Sequence, residues 1–231
     1  MQRILYSLCA ADGVRHYSPH VWKIILAIKH KGLRVELKPL SFADIPNIEG
    51  GGYSAVPVLN DNGHLEGDSF DIAVYLEKTY REGPTLFDGE GGVAMARFVE
   101  AFTQNVLHPP MSVIVLMDMH SMMSTQDQAH FRIAREKRFG KSMDEIFADH
   151  EAELKAFPAK LAPLRAVLER QQWMGGKTPL FADYILFGAF QWARICSPVK
   201  LLSNDDPVRE WFERCLDLHG GVGRAVPAAA S

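Results

Sequence analysis

The sequence predicts an α/β domain followed by an all-helical domain. Short β-rich segments alternate with helical segments at the N-terminal end, whereas the remainder shows helical periodicity interrupted by Pro and Gly and no further convincing strand. The two regions meet at the breaker-rich stretch REGPTLFDGEGG. With 231 residues, 47% of them hydrophobic, the chain is long enough to bury a sizeable core. We therefore predict one domain at residues 1–82 and a second at residues 88–231.

The first three elements follow from short, well-marked segments. RILYSL is apolar and rich in β-forming residues, and RVELKPL alternates apolar and polar residues as a half-exposed strand does. Between them, SPHVWKIILAIKHKG is marked as a helix by Ser18 at the N-cap, Pro19 in the first turn and Gly32 after the last turn. Its apolar residues cover nearly every face, so we expect this helix to be buried on more than one side.

A hairpin and a second helix complete the predicted α/β domain. VPVLNDNGHLE contains two strands around a turn at Asp61-Asn62-Gly63, and DSFDIAVYLEKTY is a helix that begins at Asp68 or Ser69. The order is therefore β-α-β, a poorly patterned linker, and β-β-α. Because a proline opens the third strand, this is a thioredoxin-like arrangement, and Val56-Pro57 is expected to be a cis bond.

The second domain is predicted to contain several helices with recognisable ends. VAMARFVEAFTQNVL runs into His108-Pro109-Pro110, which must end or kink it. Ser124 and Ser142 have the character of N-caps, and Ser142 with Glu145 fits a capping box. FADYILFGAFQWARIC is apolar enough to be a buried helix, and DPVREWFERCLDLHGG is expected to close the fold.

Composition excludes several classes of protein. The net charge is −3 with no long run of one sign, which disfavours a nucleic-acid binder or a polybasic membrane protein. No apolar run approaches the roughly 18–20 residues that a membrane-spanning helix needs. The cysteines, Cys9, Cys196 and Cys215, are odd in number and far apart, and they are expected to be free thiols in a reducing cytoplasm. No group of residues has the spacing of a metal site.

Two segments of the predicted α/β domain suggest a receptor for a short peptide. In a thioredoxin-like fold, the residue before the strand-opening proline, here Val56, presents its backbone N–H and C=O outward, where an extended peptide can pair with them. Asp68 and Ser69 lie on the same side, where the carboxylate would meet a ligand ammonium and the helix N-terminus a ligand carboxylate. Taken alone, Asp68 and Ser69 are better explained as helix caps, and the Val56-Pro57 strand just upstream reverses that preference in favour of the binding interpretation.

Ser18 occupies the position where thioredoxin-like proteins carry a reactive sulfur. Because this position has no cysteine, we expect the serine hydroxyl to donate to a thiolate of the ligand. Lowering a thiol pKa by about 2 units requires roughly 2.7 kcal/mol. A hydrogen bond to a charged group supplies about 1.5–3 kcal/mol and a helix N-terminus about 0.3–1, so the two suffice without a general base. Tyr6 and Tyr17 are alternative hydroxyls, and Cys9 lies too early in the chain for the helix N-terminus.

The chain resembles the glutathione transferases, and more narrowly the bacterial glutathione-dependent β-aryl etherases. The matching stretches span nearly the whole chain: YSPHVWKIILAIKHKG, VPVL, DSFDIAVYLEKTY, WMGGKTPLFADY and DDPVREWFERCLDLHGGVGR. The resemblance implies a glutathione transferase fold, glutathione as co-substrate, a homodimer, Ser18 as the thiolate-stabilising hydroxyl, Val56 and Pro57 as the backbone clamp, and Asp68 and Ser69 on the γ-glutamyl end. One departure is Leu180 at a usually polar N-cap, from which we expect lower stability with activity retained.

The electrophilic substrate is predicted less directly. Helical spacing places apolar residues on either side of the Pro109-Pro110 kink, and these would form a large pocket without charge: Phe98, Phe102, Met111 and Val115. The five methionines between residues 111 and 123 are explained either as ordinary core residues or, for some of them, as an adaptable wall of this pocket. We expect a hydrophobic, aromatic electrophile, with an aromatic β-aryl ether bearing an α-carbonyl as the specific hypothesis. The alternative is a non-catalytic protein of the same fold that binds glutathione or an apolar ligand.

Overall fold

A four-stranded mixed sheet forms the centre of the N-terminal domain in the computed structural model, which describes residues 2–229. The strand order is β2-β1-β3-β4, where β1 is parallel to β2 and antiparallel to β3, and β3 is antiparallel to β4. The strands are β1 Arg3–Leu8, β2 Glu36–Leu40, β3 Val58–Asp61 and β4 His64–Gly67. This topology, with helices α1 (Pro19–His30) and α2 (Ser69–Thr79), confirms the thioredoxin-like prediction.

The local signals that delimit these elements are confirmed. The Oγ atom of Ser18 accepts the N–H of Val21 at 3.4 Å and so caps α1, and Gly32 follows the helix with a φ of 67°. The hairpin turn has φ values of 56° at Asn62 and 95° at Gly63, as a type I′ turn requires. The poorly patterned linker contains a short 3₁₀ segment, Phe42–Gly50, that the sequence did not predict.

The C-terminal domain is entirely helical in its described part. Its helices are α3 Glu90–Phe102, α4 His108–Ile114, α5 Leu116–Ser121, α6 Thr125–Phe139, α7 Met143–Phe147, α8 His150–Lys160, α9 Ala162–Leu168, α10 Phe181–Cys196 and α11 Pro207–Ala225. A π-helical segment, Thr103–Leu107, separates α3 from α4, so the α-helix is interrupted directly before His108-Pro109-Pro110, and these residues form the first turn of α4. The capping serines are confirmed as well: Ser124 caps α6, and Ser142 forms a capping box with Glu145.

Helices α1 and α10 pack closely together and join the two domains. Every residue of α10 except Arg194 is buried, and α1 is buried from Val21 to Ile28. The close approach depends on Gly188, because a Cβ atom there would lie 2.2 Å from the carbonyl oxygen of Pro19. The position of Ser18, one residue before Pro19, is therefore set by contact with the helical domain.

The N-terminus of α10 is held by one buried carboxylate. Asp183 accepts hydrogen bonds from the backbone N–H groups of Met174 (2.7 Å), Gly175 (2.9 Å) and Leu180 (3.0 Å), and from the indole of Trp211 (2.8 Å). These four donors compensate the carboxylate for its lost hydration. Leu180 offers no side-chain acceptor at the N-cap, so Asp183 performs its half of the capping box alone, and the stability effect of Leu180 stays a prediction.

The helices and the cysteines bear on the predictions made from composition. Within residues 2–229, no helix combines the length and apolar character that crossing a bilayer demands. Cys9, Cys196 and Cys215 are all buried and unpaired.

Candidate functional site

A cavity of about 660 Å³ lies between the two domains. Ser18 and Val56 line it from the thioredoxin-like side, and His108, Arg135, Arg138 and Trp192 line it from the helical side. No carboxylate among the described residues lines this cavity. The cavity therefore brings a helix N-terminus and a backbone segment of one domain together with cationic and aromatic side chains of the other.

Ser18 is both a helix cap and a wall of the cavity. Its Oγ accepts the N–H of Val21, which leaves the hydroxyl hydrogen free for another acceptor, and no such acceptor lies within reach in residues 2–229. The residue is only 4% exposed and lies at the N-terminal end of α1. A hydroxyl with a free hydrogen at a positive helix end can donate to an anion, so the capping and binding interpretations of Ser18 are compatible.

The Val56-Pro57 peptide bond is cis, as expected from the sequence. Val56 is buried, lies just before β3 and lines the cavity. Among the described residues, no backbone hydrogen bond involves the N–H or the C=O of Val56. Since buried backbone groups are nearly always paired, these two groups are available to an extended ligand.

Asp68 and Ser69 begin α2, outside the residues that line the cavity. Asp68 has a left-handed φ of 63°, and its Oδ1 accepts the N–H groups of Phe70 (2.7 Å) and Asp71 (3.3 Å). Its Oδ2 has no hydrogen-bond partner within the described part of the chain, so one carboxylate oxygen caps the helix and the other remains available. Ser69 is buried next to it.

Lys23 is a residue of this region that the sequence analysis missed. Its ammonium donates to Glu100 of α3 at 3.0 Å and to the hydroxyl of Ser69 at 3.3 Å, and its side chain is fully buried. Burial lowers the pKa of Lys23, and the charge of Glu100 opposes that shift. The signal was present in the sequence, because a single ammonium in the apolar run VWKIILAI must be paired if the helix is buried.

The alternative thiol-activating groups are placed differently. Tyr6 donates its hydroxyl to Glu49, its pKa is raised to about 12 chiefly by burial, and it does not line the cavity. Burial also raises the pKa of the Cys9 thiol, to about 11, which disfavours a reactive thiolate. Tyr17 does line the cavity, and its buried hydroxyl has no partner in the described structure, so Tyr17 remains the alternative to Ser18.

Two histidines face each other at the cavity. The rings of His20 and His108 are 5.6 Å apart in an edge-to-face arrangement, and His108 also contacts Trp192 edge-on. Burial, followed by the positive charge of Lys23, lowers the pKa of both imidazoles, that of His108 to about 3. Both rings are therefore neutral at pH 7 and contribute hydrogen-bonding and apolar surface rather than charge.

The prediction of which apolar residues line the cavity is wrong. Phe98 is 68% exposed on the outer face of α3, and Met111 and Val115 lie in the core of the helical domain. These three residues and Phe102 are absent from the cavity wall, and of the predicted methionines only Met119 reaches it. Helical periodicity correctly identified apolar positions, but it could not specify which neighbouring helix covers each of them. No cluster of metal-ligating side chains occurs in residues 2–229.

Comparison with known proteins identifies relatives of both domains. Residues 14–85 match the family model of the glutathione S-transferase N-terminal domain, and residues 94–218 match that of the glutathione S-transferase C-terminal domain. The structure is similar to glutathione transferase GSTFuA3 from Phanerochaete chrysosporium, with a TM-score of 0.75 and 26% identity over 97% of this chain and 94% of that one.

Two further solved structures share the fold at lower identity. One is the glutathione S-transferase CsGST83044 of Ceriporiopsis subvermispora in complex with glutathione (TM-score 0.72, 22% identity, covering 98% of this chain and 96% of the other). The other is FzlA from C. crescentus (TM-score 0.69, 15% identity, covering 100% and 97%).

Proposed function

The chain belongs to the glutathione S-transferase family, and we propose that it uses glutathione as co-substrate for attack on an electrophile in the interdomain cavity. The observation that carries the proposal is the free hydroxyl hydrogen of Ser18 at the N-terminus of α1, facing that cavity. The unpaired backbone groups of Val56 lie at the same cavity, where they suit the cysteinyl part of an extended peptide.

The head group of glutathione is assigned to the N-terminus of α2. Asp68 has a carboxylate oxygen free for an ammonium, and Ser69 has a hydroxyl hydrogen free for a carboxylate, because its oxygen already accepts from Lys23. Pro57 fixes the backbone next to Val56. The γ-glutamyl end of the peptide would lie at α2 and its sulfur at Ser18, which matches an extended chain between the two helix N-termini.

Ser18 is tested by replacing it with alanine and titrating the ultraviolet absorbance of the thiolate in bound glutathione. Loss of one charge-assisted hydrogen bond should raise the thiol pKa by about 1 to 2 units and lower turnover at neutral pH accordingly. Ser142→Ala is the matched control, because Ser142 also caps a helix, α7, but lies away from the cavity. An unchanged thiol pKa in Ser18→Ala would show that another group stabilises the thiolate. Tyr17→Phe would then be expected to raise that pKa.

The specific reaction we propose is cleavage of an aromatic β-aryl ether that bears an α-carbonyl. The carbonyl lowers the barrier to displacement at the adjacent carbon by a thiolate, and the phenolate is a better leaving group than an alkoxide. The cavity suits an oxygen-rich aromatic guest, since Trp192 and His108 offer rings and Arg135 and Arg138 offer cations.

This assignment is tested by offering a fluorogenic β-aryl ether ketone and a chlorodinitroaromatic compound side by side with glutathione. Release of the fluorescent phenol supports ether cleavage. Turnover of the chlorodinitroaromatic compound alone would reduce the activity to general glutathione transfer. Equilibrium binding of glutathione without conversion of either compound would support the alternative, a non-catalytic binding protein. The homodimer implied by the resemblance and the cytoplasmic location expected from the cysteines stay predictions.

A further inference from the structure

Arg135 is a half-buried cation without a partner. It lies on α6 and lines the cavity, yet within residues 2–229 its guanidinium forms neither a hydrogen bond nor an ion pair, and its Nε is buried and unsatisfied. Its protein contact is the ring of Phe131, 4.7 Å from the guanidinium carbon. Arg138, one turn further along α6, lines the same cavity and is likewise unpaired.

This arrangement is unfavourable in the absence of an anion. Burial and the neighbouring charge of Arg138 both lower the pKa of Arg135, so the two cations disfavour each other. Two other arginines have carboxylate partners: the buried Arg3 pairs with Asp61 at 3.0 Å and the half-buried Arg165 with Asp206 at 2.7 Å. Since no carboxylate among residues 2–229 lines the cavity, a bound anion would supply the negative charge that Arg135 lacks there.

Unsatisfied polar groups are concentrated around this cavity. Eight buried side-chain nitrogen or oxygen atoms lack a hydrogen-bond partner in the described structure. Four of them belong to residues that line the cavity: Tyr17, His108, Arg135 and Trp192. Because buried polar groups are normally paired, this concentration points to a ligand that carries polar or charged atoms rather than to a purely apolar one.

We propose that Arg135, assisted by Arg138, stabilises the negative charge on the oxygen that leaves the electrophile. The proposal rests on the function proposed above and names its substrate class: electrophiles that release an oxyanion, such as aryl ethers. In the step concerned, the thiolate sulfur forms a bond to carbon, the carbon–oxygen bond breaks, and its electron pair leaves as a phenolate. The thiol proton has already gone to solvent, so the phenolate needs a cation rather than an acid.

A carboxylate could satisfy the same arginines, and the glycine end of glutathione carries one. The two sources are distinguished by substrate truncation. If Arg135 binds the glycine carboxylate, Arg135→Gln should raise the KM for glutathione and leave that for γ-glutamylcysteine, which lacks the glycine, unchanged. If Arg135 stabilises the leaving oxygen, both thiols should lose turnover with the ether by the same factor. Selective loss with glutathione would overturn the leaving-group assignment.

The first measurement needs no catalysis and uses 4-nitrophenol, whose ionised form has its own absorption band. The wild-type cavity should bind it and lower its pKa by about 1 unit relative to the Arg135→Gln variant, a tenfold change in ionisation. Arg135→Lys should retain part of the shift, because the charge remains. Arg132→Gln is the matched control, since Arg132 lies on the same helix, pairs with Glu136 at 3.3 Å and does not line the cavity. Absence of binding, or a phenol pKa that Arg135→Gln leaves unchanged, would overturn the proposal.

The second measurement follows ether cleavage with leaving phenols of increasing pKa. Arg135→Gln should lose about 10- to 100-fold in kcat/KM for the poorest leaving group, and much less for 4-nitrophenolate, which needs little stabilisation. A uniform loss across the series would overturn the assignment. If the wild-type protein cleaves no ether but still ionises bound 4-nitrophenol, the proposed reaction fails and the anion site stands. If it cleaves ethers with the same leaving-group dependence as Arg135→Gln, the proposed reaction stands and the role of Arg135 fails.

A purely structural role for Arg135 predicts a different outcome. Removing a half-buried, unpaired charge should leave the thermal stability of Arg135→Gln equal to or above that of the wild type. A fall in stability that accounts for the loss of activity would mean that the arginine supports the fold, and the leaving-group assignment would then be withdrawn.

Discussion

The buried pair of Lys23 and Glu100 offers a sharp test of how the two domains support the glutathione site. Lys23 lies on α1 of the first domain and Glu100 on α3 of the second, and their charged atoms are 3.0 Å apart. The lysine side chain is fully buried and that of the glutamate is 12% exposed. Truncating one member of such a pair leaves the other charge in a poorly hydrated environment.

The magnitudes differ between the two single variants. Removing one partner of a buried pair costs about 3–5 kcal/mol. For Lys23→Met we expect a smaller value, about 2–3 kcal/mol, because Glu100 retains some exposure and a 3.5 Å contact with Arg97. For Glu100→Gln the buried ammonium loses its carboxylate partner, and release of a proton from Lys23 limits the loss of stability. Removing the proton of a lysine with the ordinary pKa of 10.5 costs about 5 kcal/mol at pH 7, at about 1.4 kcal/mol per pKa unit. This cost is the upper limit of the destabilisation.

Urea unfolding of Lys23→Met, Glu100→Gln and the double variant measures these effects. The double variant should be more stable than the sum of the single losses predicts, with a coupling energy of about 1–3 kcal/mol. The sign of the pH dependence provides a second check. In Glu100→Gln the unfolded chain holds the Lys23 proton more tightly than the folded one, so stability should rise as the pH increases from 7 to 9.

Glutathione affinity supplies the functional part of the test. Lys23 donates a hydrogen bond to Ser69 and so acts on glutathione only through that residue. Loss of this one modest hydrogen bond should weaken glutathione binding by about three- to tenfold. Lys29→Met is the matched control, because Lys29 lies on the same helix, is half exposed and forms no ion pair in the described structure. A Lys23→Met variant as stable as the control, with unchanged glutathione affinity, would refute the coupling between this pair and the site.

Two further predictions concern the position of α1 and the histidines of the cavity. Gly188→Ala should destabilise the protein by about 1–3 kcal/mol and lower kcat/KM, because its Cβ would meet the carbonyl of Pro19 beside Ser18. Gly91→Ala, where a Cβ meets nothing within 4 Å, should be neutral or stabilise by up to about 1 kcal/mol, and equal unfolding midpoints for the two variants would contradict the packing argument. Between pH 7 and 5 the wild type should lose about 2 kcal/mol through His108, because the unfolded imidazole binds a proton below about 6.5 while the folded one has a pKa of about 3. In urea unfolding, the His108→Asn variant should not show this loss of about 2 kcal/mol between pH 7 and 5. A pH profile identical to that of the wild type would exclude the contribution of His108.

Local chemistry explains why the thioredoxin-like part was predictable. The N-cap at Ser18, the αL glycine at Gly32 and the Asn62-Gly63 turn each depend on a few adjacent residues. Residues placed by such signals could be located from the sequence, and their order along the chain was sufficient to assign the sheet topology. The Phe42–Gly50 segment was missed because it has neither periodicity nor a helix-length run.

The walls of the cavity could not be predicted in the same way. The amphipathic pattern of α3 identifies Phe98 as apolar, but only tertiary packing determines that it is 68% exposed and faces away from the cavity. Arg135 lies in a polar helix with many charges. The i,i+4 spacing gives Arg132 the partner Glu136 and leaves Arg135 with Phe139 at that position, but only the tertiary structure shows that Arg135 lines a cavity.

The two ends of the cavity therefore differ in what specifies them. The thiol end depends on a helix N-terminus, one hydroxyl and the backbone of Val56, features that survive extensive change in side chains. The electrophile end depends on individual side chains of α4, α6 and α10, whose positions follow from the packing of distant segments. A thiolate and a leaving oxyanion both bring negative charge into this space, and its only formal charges within residues 2–229 are those of Arg135 and Arg138. Electrophile preference in this chain should consequently change with substitutions on α6 that leave glutathione affinity intact.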